Sequence, residues 1–246
     1  MSQTIAELRE TLRRIEGDGY QRRPSLPFGL AAIDGKLANE GLRLDALHEV
    51  AGATSCLSDD ASATLFMAGI AARAWGPVLW VVKRRDLFAP GLYQAGLAPR
   101  RVLYAEARDD NELLAIMEEG LRHRGLGAVI GEAKRAGLAA TRRLQLAAEG
   151  GRTIALLLKL HARDNADPLG QPSAAVTRWR VASAPSDPSL APDMMGRARW
   201  RLELVRQKGG EPFEITVEAC DETGRVAVAA GMGAGQAQAR RAGAAI

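Results

Sequence analysis

At 246 residues, 47% hydrophobic and 25% charged, with a net charge of +4 at pH 7, the chain has the size and composition of one globular α/β domain with short extensions. Its two cysteines, Cys56 and Cys220, form neither a disulfide framework nor a metal-binding spacing, which points to a reducing cytoplasm. No apolar run is long enough to cross a bilayer or to serve as a signal peptide, and the modest positive charge permits nucleic-acid contact without requiring it.

The first element expected is an amphipathic helix over residues 3–16. Ile5, Leu8, Leu12 and Ile15 follow the i, i+3, i+7, i+10 spacing of one helix face, and Gly17-Asp18-Gly19 stops it. A Pro-containing link at 22–27 separates this helix from the rest. Residues 1–20 therefore read as an interaction or oligomerisation segment, 21–230 as a core domain, and 231–246, rich in Gly, Ala, Gln and Arg, as a disordered tail.

Strand and helix patterns alternate after the link. Residues 46–51 predict a strand and 61–74 a helix. The apolar run Pro77-Val-Leu-Trp-Val-Val82 predicts a strand buried on both faces. A strand at 102–105 and a helix at 111–124 follow, the helix with Leu113, Leu114, Met117 and Leu121 on one side. Next come a strand at 128–131, a helix at 133–149 and a strand at 153–160. This alternation implies a mostly parallel sheet covered by helices. Beyond a polar loop at 161–175 the texture becomes antiparallel: 176–182, 198–206, 213–219 and 226–229 read as a meander, the first two alternating Arg with Trp, Val or Leu.

One stretch carries chemistry. Residues 49–66 sit where a phosphate-binding loop sits, between a strand and an Ala-rich helix. A working loop reads G-x-x-x-x-G-K-[ST], in which backbone N–H groups and the Lys cradle phosphates and the hydroxyl binds Mg²⁺. Gly52 keeps the first position, but Leu57, Ser58 and Asp59 replace the Gly, the Lys and the Ser/Thr. Ser58 reads as the N-cap of the next helix. Asp59 and Asp60 supply acid to its first turn, where a nucleotide's phosphates would otherwise meet the free amides and the positive end of the helix dipole. The same two charges repel a triphosphate. No cofactor is expected, and the three histidines, His48, His123 and His161, show no metal-ligand spacing.

The ordered series of segments resembles the RecA core and, more narrowly, the ImuA family of bacterial mutagenesis proteins, sometimes labelled SulA-like. Leu26-Pro-Phe-Gly-Leu-Ala-Ala-Ile-Asp34 and Gly41-Leu-Arg-Leu-Asp-Ala-Leu-His48-Glu-Val-Ala-Gly52 are similar to the entry segment before the RecA phosphate loop. Leu92–Leu97 and Val102–Ala105 match its next αβ unit, Gly127-Ala-Val-Ile-Gly-Glu132 ends where a Walker B strand would, and Val205–Phe213 resembles its late strands. The resemblance covers roughly residues 25–230. It implies an α/β fold with a RecA-like three-layer core, a mostly parallel central sheet, C-terminal antiparallel strands and an N-terminal helix.

Departures from RecA bear on activity. The catalytic Glu position falls near Lys83-Arg84-Arg85, and a protonated Lys is no general base. Glu132 mimics a Walker B acid without the loop residues that would give it a metal to serve. The resemblance thus implies a non-enzymatic accessory protein of SOS-induced translesion synthesis. Its implied partners are ImuB, an inactive Y-family polymerase homologue, an error-prone replicative-type polymerase subunit, and RecA as a further candidate. A divergent RecA-like ATPase and a SulA-like cell-division inhibitor remain the alternatives. The stripe Ile5, Leu8, Leu12 and Ile15 is the candidate partner surface. Arg163, diluted by Asp164 and Asp167 in the same loop, and Arg178 and Arg180 in the strand that follows are candidates for weak DNA contact.

Overall fold

The computed structural model describes residues 23–162, 166–186 and 196–229. The expected N-terminal helix with Ile5, Leu8, Leu12 and Ile15, the tail at 231–246 and the DNA-contact candidate Arg163 lie outside the described residues.

In chain order the elements are β1 (Ser25–Leu26), α1 (Ala31–Asp34), β2 (Leu42–Arg43), β3 (Leu47–Gly52), α2 (Leu57–Arg73), β4 (Val78–Val82), α3 (Ala89–Gln94), β5 (Val102–Glu106), α4 (Asp110–Arg122), β6 (Ala128–Ala133), α5 (Leu138–Gly151), β7 (Ile154–Lys159), β8 (Thr177–Ala184), β9 (Arg199–Gln207), β10 (Phe213–Glu218) and β11 (Ala227–Val228). Strands β1 and β2 pair by themselves. The other nine form one sheet in the order β11-β10-β9-β8-β3-β7-β6-β4-β5. Pairing is parallel from β5 through β4, β6, β7 and β3 to β8, then antiparallel through β9, β10 and β11. This is the architecture that the RecA-like reading anticipates: a mostly parallel sheet with an antiparallel C-terminal extension.

Side-chain alternation explains the layers. On one face, Val50, Trp80, Ile130, Leu156 and Trp179 bury against Phe66, Met67 and Ile70 of α2. Phe28, Phe66, Trp179, Trp200 and Phe213 join in a chain of ring contacts there. On the other face, Val81, Val129, Ala155 and Leu157 meet Leu113, Met117 and Leu121 of α4 and Leu144 and Ala148 of α5. Because both faces of β4, β6 and β7 are covered, these strands read as continuous apolar runs.

Two boundaries differ from the sequence reading. The helix expected from 61 begins at Leu57, which brings Asp59 and Asp60 into its first turn. The helix expected from 133 begins at Leu138, because Ala133 still pairs with Lys159 in the ladder. There strand pairing overrides the helix propensity of Ala.

Candidate functional site

β3 is the strand at which the connections change side: its sheet neighbours are β7 on one flank and β8 on the other. In open α/β sheets the crevice outside the carboxyl ends at such a switch point is where ligands bind. Gly52, the last residue of β3, lies there, and a side chain in place of its hydrogen would have to displace the Asp60 carboxylate. A Cβ would sit 2.8 Å from Asp60 Oδ1 and 3.1 Å from the Thr54 carbonyl oxygen.

Asp59 occupies this crevice from within the chain and is only 6% exposed. Its Oδ2 accepts hydrogen bonds from the Thr54 amide at 3.0 Å and the Thr54 hydroxyl at 2.7 Å. Its Oδ1 accepts from the Ser183 amide of β8 at 2.8 Å. The carboxylate thus takes loop and strand donors that would otherwise be free for an anion. Burial pushes the Asp59 carboxyl up, but the Ser183 amide and the Thr54 hydroxyl outweigh it and leave the acid below its ordinary value.

Asp60 is the opposite case. Its Oδ1 is buried without a hydrogen-bond partner. Burial raises its pKa above the usual carboxylate value, neighbouring Asp59 adds to the rise, and His161 opposes it. The His161 ring, through Nε2, lies 3.0 Å from the Gly52 carbonyl oxygen. The crevice therefore holds two acids, one satisfied and one strained by desolvation.

The helix start corrects one expectation. Ser58 is not the N-cap: Cys56 holds that position in extended backbone, with no side-chain cap bond. Ser58 is the second helical residue. Its hydroxyl lies 3.2 Å from Cys56 Sγ and its carbonyl accepts from the Ser62 hydroxyl. The cross-link from Asp59 back to Thr54 ties down the loop instead. Leu57, where the loop's second Gly would stand, points into solvent at 85% exposure.

Glu132, the next-to-last residue of β6, accepts a hydrogen bond from Trp80 Nε1 at 2.8 Å. Burial pushes its acid up, and the Trp80 bond opposes that. Lys83 pairs with Asp110 and Arg85 with Glu106, so two of the three basic residues after β4 are bound to acids. A Mg-triphosphate does not fit this residue set. The crevice presents buried carboxylates where it needs amides, a Lys and a hydroxyl. Among the described residues no cluster of His, Cys, Asp and Glu is arranged to hold a metal, and no helix is long and apolar enough to cross a membrane.

The DNA-contact candidates separate. Arg178 is buried, with its Nε 2.7 Å from Glu49 Oε2 in a buried ion pair. That corrects its expected role, because no phosphate reaches it. The cause is register: Arg178 lies opposite Glu49 of β3, and Ser173 adds a hydrogen bond to the other Glu49 oxygen at 2.8 Å. Arg180 is held by both Glu203 and Asp167. Sequence reading missed the acceptor role of Asp59 toward Ser183, 124 residues away in the chain, and the Glu49–Arg178 pair. Only the acid at position 49 inside an apolar strand signalled the second.

No family profile matches the chain. Over 199 residues it is 41% identical to Protein ImuA of Caulobacter vibrioides, an alignment that spans 77% of this chain and 81% of that protein. Protein ImuA of a second strain of the same species matches with the same identity and coverage. The fold with its altered phosphate loop, together with this identity over most of both chains, places the protein in the ImuA family.

Proposed function

We propose that the protein is a non-catalytic, RecA-like accessory factor in damage-induced translesion synthesis and mutagenesis. It works in the cytoplasm with an inactive Y-family polymerase homologue, ImuB, and an error-prone replicative-type polymerase subunit, and RecA is a further candidate partner. The observation that carries the non-catalytic part is Asp59: its carboxylate binds the Thr54 and Ser183 amides at the crevice where a RecA-type nucleotide would bind. Membership in the ImuA family supports the pathway. The sheet scaffold then serves to present surfaces to partners, and DNA is met weakly or through them. Arg178 and Arg180 are committed to internal acids, in keeping with a weak direct contact.

The test is reconstitution with purified components. The protein should co-elute with ImuB in size-exclusion chromatography with no nucleotide added, and added Mg-ATP should not change the complex. Failure to bind ImuB together with capture of the division protein FtsZ would move the assignment to the SulA-like reading. A complex that forms only with ATP would move it to a divergent ATPase.

A further inference from the structure

Along the side of the sheet formed by the amino ends of its parallel strands, opposite the phosphate-loop crevice, one side chain is out of keeping with the rest. Trp75 is 92% exposed, whereas Trp80, Trp179 and Trp200 are buried. A lone Trp in solvent is unremarkable on a flexible tail, but this one stands on a turn that is fixed on every side. Arg101 donates to the carbonyls of Ala71, Ala72, Ala74 and Gly76, which clamps the turn between α2 and β4. Gly76 adopts φ +98°, and a Cβ on Gly127 would come within 2.0 Å of the Trp75 carbonyl oxygen. The Gly127 amide closes the turn by donating to Pro77 O at 2.8 Å. The fold therefore holds the backbone of Trp75 rigidly and leaves its ring outside.

Beside the ring is an open recess of about 580 Å³, whose walls include Ala72, Pro77 and Arg100. The sheet order puts further cations along the same side. Strands β5, β4, β6 and β7 are neighbours in parallel register, so Arg100, Trp75, Arg124 and Arg152 precede four adjacent amino ends. At roughly 4.8 Å per strand this row spans about 14 Å. Arg100, Arg124 and Arg152 are exposed and have no acidic partner among the described residues. Of the acids on α4, Glu118 and Glu119 are engaged by Arg122, and Glu118 also by Arg143.

We infer that this side is a docking surface for an acidic segment of a partner protein, in which an apolar residue packs on Trp75 and flanking carboxylates pair with Arg100, Arg124 and Arg152. Trp and Arg are the residues that dominate interface energetics, and a preformed anchor loses little entropy on binding. An extended segment places same-side residues about 6.6 Å apart, so a segment of about five residues covers the row. Single-stranded nucleic acid fits less well, because it calls for successive stacking platforms and this row offers one. The inference does not depend on the reading of the phosphate-loop crevice, and either can fail alone.

The probe is a fluorescein-labelled peptide, Asp-Glu-Asp-Leu-Glu-Phe-Asp-Glu, titrated against the full chain by fluorescence polarisation, with acrylamide quenching of intrinsic fluorescence read in parallel. Because three of the four tryptophans are buried, quenching reports chiefly on Trp75. The expected result is saturable binding that protects the exposed Trp, weakens with salt and loses about tenfold in affinity in Trp75→Ala and in Arg100→Glu. Both replaced side chains are solvent-facing, so the variants should melt like the parent. No binding at millimolar peptide, or binding that neither variant changes, overturns the inference. Stronger protection by oligo-dT assigns the surface to nucleic acid, and protection that grows with protein concentration alone assigns it to a second copy. Either result also overturns it.

Discussion

Asp59→Ala and Asp60→Asn should shift stability in opposite directions although the two residues are adjacent on one helical turn. Asp59 accepts from three donors, the Thr54 amide, the Thr54 hydroxyl and the Ser183 amide. Hydrogen bonds to a charged group contribute about 1.5–3 kcal/mol each, and a buried donor left without an acceptor costs about 1–3 kcal/mol. Thr54 lies at the surface and can regain water, so the full sum is not reached. A net loss of about 2–3 kcal/mol for Asp59→Ala follows. Asp60 has a buried oxygen with no partner and an acid raised by burial, so its charge opposes folding at neutral pH. Asp60→Asn should be neutral or stabilising by up to about 1 kcal/mol. The signs with pH also differ. The folded acid of Asp59 lies below its unfolded value, so its stabilisation is present above that value and lost as pH falls through the folded one. The folded acid of Asp60 lies above its unfolded value, so its penalty fades as pH falls through the raised value, and the gain from Asn shrinks with it. Urea denaturation of the three proteins at pH 7 and in steps down to about pH 3 measures this, since the Asp59 contribution changes only below its ordinary carboxylate value. If Asp59→Ala changes stability by less than about 0.5 kcal/mol, or if Asp60→Asn costs more than Asp59→Ala, the carboxylate is not closing the loop.

Three further outcomes are expected. His48 is buried, with its ring nitrogens 2.7 Å from Thr177 Oγ1 and 2.8 Å from the Arg43 carbonyl oxygen, and burial lowers its pKa from 6.5 to about 4. The unfolded chain then takes up the proton first, so this group should remove about 2 kcal/mol of stability between pH 7 and pH 5. His48→Gln should flatten that slope, and an unchanged slope would assign the acid sensitivity to other groups. Glu49→Gln breaks a buried pair with Arg178 and should cost about 3 kcal/mol in a chemical melt. Adding Arg178→Met should recover much of that cost, and strict additivity would show that the two residues are not coupled. Deleting residues 1–20 should leave the melting curve of the core intact and remove one contact in pull-downs with ImuB, RecA or a second copy. A core that unfolds instead would make that segment an internal packing element.

Local pattern went a long way toward the fold. The apolar run at 77–82 and the one-sided Leu113, Leu114, Met117 and Leu121 gave β4 and α4 within one or two residues, because burial on one or both faces leaves a periodic trace in sequence. The boundary at Ala133 was not legible, since ladder pairing with Lys159 is a long-range fact. The same divide runs through the site. The missing Lys and hydroxyl of the phosphate loop are written in Leu57, Ser58 and Asp59, but the partner that completes Asp59 comes from β8, and only the sheet order brings it near. Arg178 and Arg180 alternate in sequence as if solvent-facing. The register of β8 against β3 buries one of them on Glu49, while Glu203 and Asp167 hold the other.

Isothermal titration of the full chain with Mg-ATP addresses the central claim most directly, that the nucleotide crevice is closed by the chain's own carboxylate. With Asp59 bound to the Thr54 and Ser183 amides, the titration should show only heat of dilution up to millimolar nucleotide. A micromolar dissociation constant with one site per chain would contradict the account.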